Sequence, residues 1–119
     1  MIQSIAFTVY PVKDMATTRK FYETVLGLKT THDFRGEWVE YDLGDTTFAL
    51  STMDTSRKPG AKGAVVGFEV ADFNAEVARL RNLNAPFKFD PFETPVCYMA
   101  VLEDPDGNEV LIHKRKSAS

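Results

Sequence analysis

Cysteine is nearly absent from this chain: Cys97 stands alone, so no intramolecular disulfide can form, and one Cys with two His residues cannot supply zinc-finger spacing. That usage fits a reducing compartment, and a cytoplasmic location is expected. Long apolar runs are missing as well. None approaches the roughly 18 to 20 residues that cross a bilayer, and no basic segment followed by an apolar stretch opens the chain as a signal peptide would. An excess of charge of one sign is also lacking, since the net charge is only −3. There is thus no electrostatic footprint for nucleic acid or an anionic membrane, and neither is expected as a partner. The basic run Lys114-Arg115-Lys116 is too short to change this and reads as the start of a solvated tail.

What is present is 119 residues with 44% hydrophobic content, enough for one compact domain with a core and too little for two ordinary ones. Residues 4–10 are rich in β-favouring side chains and Pro11 closes them, which predicts a strand. Asp14 then suits a helix N-cap, Phe21, Tyr22, Val25 and Leu26 recur at helical spacing, and Gly27 stands where a C-terminal glycine belongs. Strands are predicted over 29–34, 37–43 and 47–52, the last after a Gly44-Asp45 turn. Residues 54–63 hold turn formers and charges without apolar period and read as a linker.

Beyond the linker the order restarts. Residues 64–70 read as a strand, and Asp72 caps a helix with Phe73, Val77 and Leu80 on its apolar face. A short strand around 87–89 follows, and a hairpin over 96–102 and 108–114 completes the set. In its turn, Asp104-Pro105-Asp106-Gly107-Asn108, the proline presets φ, the glycine accepts a positive φ, and the Asp and Asn side chains can bond the backbone. Asp42-Leu43-Gly44-Asp45 occupies the corresponding place in the first half. The chain is therefore read as α+β, two paired β-α-β-β-β repeats forming a curved mixed sheet. The expected single domain spans 1–119, with repeat one over 1–53, a linker over 54–63, repeat two over 64–114 and a basic tail over 115–119. Neither repeat easily buries its sheet alone, so the expectation is that the halves pair around a cup.

Two segments resemble the vicinal oxygen chelate superfamily, the glyoxalase, bleomycin-resistance and extradiol dioxygenase group. One is Phe7-Thr8-Val9-Tyr10-Pro11-Val12-Lys13-Asp14 with the later Phe21-Tyr22-Glu23-Thr24-Val25-Leu26-Gly27-Leu28; the other is Glu103-Asp104-Pro105-Asp106-Gly107-Asn108. The resemblance spans almost the whole chain and implies the duplicated fold. It further implies that metal enzymes of the group hold a divalent ion with His, Gln or Glu side chains, two from each half. The corresponding positions here are Phe7, Ala49, Val65 and Leu111, none of which carries a metal-binding donor. No metal site and no cofactor are therefore expected, and the standard metal-dependent glyoxalase or dioxygenase activity is disfavoured.

Strand alternation aligns Glu109 and His113 with Leu111, Gly67 and Glu69 with Val65, Ile5 and Val9 with Phe7, and Thr47 and Ser51 with Ala49. In the third strand Trp38, Glu40 and Asp42 share one face and Val39, Tyr41 and Leu43 the other, and the sequence leaves open which one lines the cup. The candidate catalytic residues are His113 with Glu69 and Glu109 to orient it, set against a packing role for His113 beside Lys114. Candidate ligand contacts are Phe7, Trp38, Glu40, Ala49, Val65 and Leu111, with Tyr98 and Phe92 as further aromatic wall. Cys97 is read as a buried, inert thiol and His32 as exposed. The leading expectation is a metal-independent protein that binds a small apolar or aromatic molecule. The alternative is a lyase, isomerase or dioxygenase using His113 with a glutamate or an unconventional divalent-metal site. A homodimer, with or without exchange of halves, is compatible with the linker, and a module whose cup is closed by dimerisation is a third reading.

Overall fold

The computed structural model describes every residue except Ile2, Asp54, Ala61, Lys62 and 117–119. Its contacts divide the chain into two compact units, Met1–Pro59 and Gly60–Ser119. In the first unit, β1 (Phe7–Pro11) leads to α1 (Met15–Lys20), then β2 (His32–Phe34), β3 (Trp38–Asp42) and β4 (Thr47–Ser51). The second runs β5 (Val66–Glu69), α2 (Phe73–Asn82), β6 (Phe87–Glu93), β7 (Cys97–Glu103) and β8 (Glu109–Arg115). Each is a β-α-β-β-β unit whose last strand pairs parallel with its first and antiparallel with its third, giving sheet orders β1-β4-β3-β2 and β5-β8-β7-β6. The architecture is the α+β duplication expected from the sequence.

Both helices begin in the same way. Asp14 and Asp72 are extended N-caps whose side-chain oxygens accept from the backbone N–H groups of Thr17 (3.3 Å) and Ala75 (3.1 Å). Each carboxylate thereby satisfies an N–H that the first helical turn would leave without a partner. The two late turns match as well: Asp42 accepts from Gly44 N–H at 2.8 Å and Asp104 from Asp106 N–H at 2.8 Å. The repeat is thus a repeat of hydrogen-bonding devices.

In the first unit Tyr10, Val39, Tyr41, Phe48 and Leu50 are buried on the sheet face that meets the helix, where Tyr22 packs against Phe48 with ring centroids 5.1 Å apart. In the second, Ala100, Leu102, Val110 and Ile112 are buried, and Phe73 of α2 stacks on Tyr98 at 5.8 Å. Each fully buried side chain of this size contributes about 1.5 to 3 kcal/mol. Register then fixes the opposite faces by alternation.

Four features differ from the sequence reading. The first helix does not end as an α-helix but widens into a π-helical turn over Phe21–Val25, with Leu26 N–H donating to the Phe21 carbonyl at 3.0 Å and Gly27 at φ 76°. Here Glu23 accepts from Arg19 Nε at 2.6 Å and from the buried Tyr41 hydroxyl at 2.8 Å. Burial and the adjacent Glu23 push the Tyr41 hydroxyl well above its ordinary range. Second, Pro11 is the last residue of β1 instead of a residue beyond it, as an edge strand tolerates. Third, β6 extends to Glu93 through register shifts on either side of Phe89, because bulges let the chain carry Pro91 without ending the strand. Fourth, β8 takes in Arg115, the first residue of the predicted tail, whose N–H is held by a Glu69 carboxylate oxygen at 2.8 Å. Among the described residues no helix is long and apolar enough to cross a membrane.

The Asp104 turn closes on one carboxylate. Its oxygens accept from Asp106 N–H (2.8 Å), Asn108 N–H (2.9 Å) and the Asn108 side-chain amide (2.9 Å), and Asn108 in turn accepts from Gly60 N–H at 2.9 Å. Both Asp104 and Asn108 are buried. Asp104→Ala strands several of these donors and lowers the unfolding free energy by about 2 to 4 kcal/mol. A urea titration reads this as a lower midpoint, and Asp104→Asn, which keeps one acceptor, falls between the two.

Candidate functional site

On the first sheet the face turned away from α1 is set by register. Pro11, Ser51, Trp38 and Phe34 form one row across the strands; Val9, Ala49, Glu40 and His32 form the next; Phe7, Thr47 and Asp42 form the third. This settles the third strand: Val39 and Tyr41 enter the core, and Trp38 and Glu40 lie on the open face.

Phe7 and Trp38 stand on strands either side of β4, in the outer two of the three rows, yet their rings meet edge to face with centroids 5.3 Å apart. The diagonal joining them crosses Ala49, the central position of the grid. A side chain of one methyl leaves room for the rings to meet across this position, and Ala49 is fully buried. Trp38 Nε1 donates to Glu40 Oε2 at 2.7 Å, which pins the indole plane with a charge-assisted bond. Beside this pair lies a hollow of about 190 Å³ lined by Phe7, Val9, Pro11, Trp38, Ser51 and Arg57. Its walls are almost wholly carbon, with Arg57 as the one charged side chain among the described lining residues. Phe7 remains 48% exposed at the edge of this concave surface.

Of the ligand contacts expected from sequence, Phe7 and Trp38 line this hollow together. Glu40 supports Trp38 from the neighbouring row, and Ala49 lies beneath the rings. Val65 precedes β5 and is exposed, and Leu111 is half-buried on β8 beside Gly67; both belong to the second unit. Tyr98 faces α2, stacked on Phe73, because its position on β7 alternates with Met99 toward the helix. Val9 and Ser51 were legible as residues of the Phe7 and Ala49 faces without being singled out as contacts. Pro11 was hidden by its reading as a strand breaker, and Arg57 carries no periodic signal because it lies in the segment after β4.

In the second unit the face away from α2 carries Glu69, Glu109, Leu111, His113 and Met99. His113 Nδ1 lies 2.5 Å from Glu69 Oε1, and the other Glu69 oxygen accepts from Arg115 N–H. The Arg115 N–H, and next His113, hold the Glu69 carboxyl below its usual range. Glu109 engages Lys88 instead of His113, since β6 brings that lysine alongside. His113 Nε2 makes no hydrogen bond among the described residues. His32 is exposed, and the buried Cys97 thiol sits 3.1 Å from Thr94 Oγ1.

A duplicated β-α-β-β-β chain with an apolar hollow on one sheet defines a class of small α+β proteins, and comparison gives that class its name. The chain belongs to the Glyoxalase/Bleomycin resistance protein/Dioxygenase superfamily, whose family model matches residues 4–112. It is similar to the crystal structure of TnmS3, an antibiotic binding protein from Streptomyces sp. CB03234, at 25% identity and a TM-score of 0.83, over 97% of this chain and 98% of that one. The lactoylglutathione lyase from Agrobacterium tumefaciens shares the fold at 20% identity and a TM-score of 0.77, over 96% and 95% of the two chains. So does a superfamily member from Sphaerobacter thermophilus, at 21% identity and a TM-score of 0.78, over 95% and 98%. No curated protein matches the chain.

The positions that the resemblance assigns to a divalent ion do not fit one: Phe7, Ala49, Val65 and Leu111 present only carbon. Among the described residues no group of three or more His, Cys, Asp or Glu side chains is placed to hold a metal.

The grid makes Ala49 the sensitive position of the hollow. Ala49→Leu forces the two rings apart, costs about 1 to 3 kcal/mol of stability and exposes the indole. Urea unfolding and a red shift of emission from Trp38, the sole tryptophan, check both effects.

Proposed function

We propose that this protein binds a small apolar or aromatic molecule in the hollow beside Phe7 and Trp38, without a metal ion. The observation that carries the reading is the exposed Phe7 ring held edge to face on Trp38 at the border of a carbon-lined concavity. An exposed ring backed by a half-buried one in a concave site is costly to keep in water and favourable to cover. The volume suits the purpose. A dry cavity of about 150 Å³ accepts benzene, so a hollow of about 190 Å³ holds one substituted ring and lets a second project outward. The likeness to an antibiotic binding protein supports the same reading. The apolar side chains at the metal positions support independence from metal.

The test uses the single indole N–H, which gives one resonance in a nitrogen-proton correlation spectrum. Naphthalene-2-carboxamide is expected to move that resonance saturably and to raise the melting temperature, as any ligand of the folded state must. Phe7→Ser is expected to weaken binding about tenfold, the equivalent of roughly 1.4 kcal/mol. A linear, unsaturable response in the wild type rejects the reading.

A second reading attaches to His113. A carboxylate 2.5 Å from Nδ1 fixes the imidazole tautomer and leaves Nε2 to accept a proton, which is the geometry of an oriented general base. On p-nitrophenyl acetate, Nε2 would take a proton from water as hydroxide adds to the acetyl carbon and p-nitrophenolate leaves. The wild type is expected to release p-nitrophenolate faster than both His113→Ala and Glu69→Gln, and equal rates in all three dismiss it.

A further inference from the structure

We infer that Glu40 sets the affinity of the hollow without touching the ligand, as the positioning residue of Trp38. This rests on the binding reading above and changes the part that Glu40 plays in it, from a ligand contact, as strand parity alone suggests, to a support for one. Trp38 lines the hollow, whereas Glu40 is not among its described lining residues. The two are next-but-one neighbours on β3 and share its open face. Both are half-buried, and Trp38 Nε1 donates to Glu40 Oε2 at 2.7 Å. That N–H lies in the plane of the indole, so an acceptor fixed on the same strand restrains the torsions that orient the ring. The edge-to-face contact with Phe7 restrains the ring a second time, from β1.

The carboxylate is available for this task. Neither His32, its register partner on β2, nor any other cationic side chain pairs with it among the described residues. Because the acceptor is charged, the bond is about twice as strong as a neutral one. A carbonyl or hydroxyl on a ligand therefore does not draw the N–H away, and Trp38 meets the ligand as a ring and not as a donor. Ordering a large side chain at the moment of binding subtracts from affinity. With the indole held beforehand by Glu40, that cost has already been met in folding, and the wall of the hollow is in place before a ligand arrives.

Two measurements test the assignment: calorimetric titration with naphthalene-2-carboxamide, and exchange of the Trp38 indole proton with water in the ligand-free protein, followed by magnetic resonance. Glu40→Ala is expected to speed that exchange and to weaken binding about fivefold. Glu40→Gln, whose amide oxygen still accepts, is expected to recover most of both. In a Trp38→Phe background, which has a ring but no N–H to hold, adding Glu40→Ala is expected to change the affinity by less than about twofold. A carboxylate that merely stabilised the sheet would act equally in both backgrounds. Wild-type affinity in Glu40→Ala, a loss that Glu40→Gln does not recover, or a loss that persists in Trp38→Phe overturns the positioning role and leaves the binding reading standing. No saturable heat from the wild type overturns the binding reading itself, and this inference with it.

Discussion

The meeting of Phe7 and Trp38 above Ala49 is the contact on which the candidate site depends. Strands in a sheet lie about 4.8 Å apart, so side chains on β1 and β3 reach one another only across β4. Two conditions must hold together: long flat side chains on the outer strands and a minimal one between them. Ala49 supplies the second, and Glu40 restricts the first by fixing the indole plane. With the rings so held, the row of Pro11, Ser51 and Trp38 is left as the floor and wall of a concavity.

The same strands form two quite different surfaces because their side chains alternate. One face of the first sheet is a dense aromatic core in which Tyr10, Tyr22 and Tyr41 surround Phe48. Tyr41 is anchored there by Glu23, which the π-helical turn brings within reach of both the tyrosine and Arg19. A packed face of this kind sets strand register firmly, since a slip of one residue would turn every core ring outward. The rigidity needed to hold the open face in shape therefore comes from the helix side.

Duplication has produced two units with the same caps, turns and pairing order and different chemistry on their open faces. The first presents aromatic rings and hydrocarbon; the second presents ionisable pairs, Glu69 with His113 and Glu109 with Lys88. At the four positions that the resemblance assigns to a divalent ion, Phe7, Ala49, Val65 and Leu111, both units have only carbon side chains.

The linear sequence determined the fold almost completely. Asp14, Asp72 and the Asp104 turn act through hydrogen bonds to residues two to four positions away, and apolar alternation assigns faces within a strand, so both are local and legible. Placing Phe7, Ala49 and Glu69 on their faces followed from the same parity. The tertiary structure alone decided what those residues meet. Which face of β3 is buried, the meeting of Phe7 with Trp38, the choice of Glu69 over Glu109 as partner of His113, and the place of Arg57 in one hollow with Phe7 and Trp38 all join segments distant in the chain. Such contacts depend on strand order and on how an irregular segment returns over a sheet, and a period read along one strand contains neither.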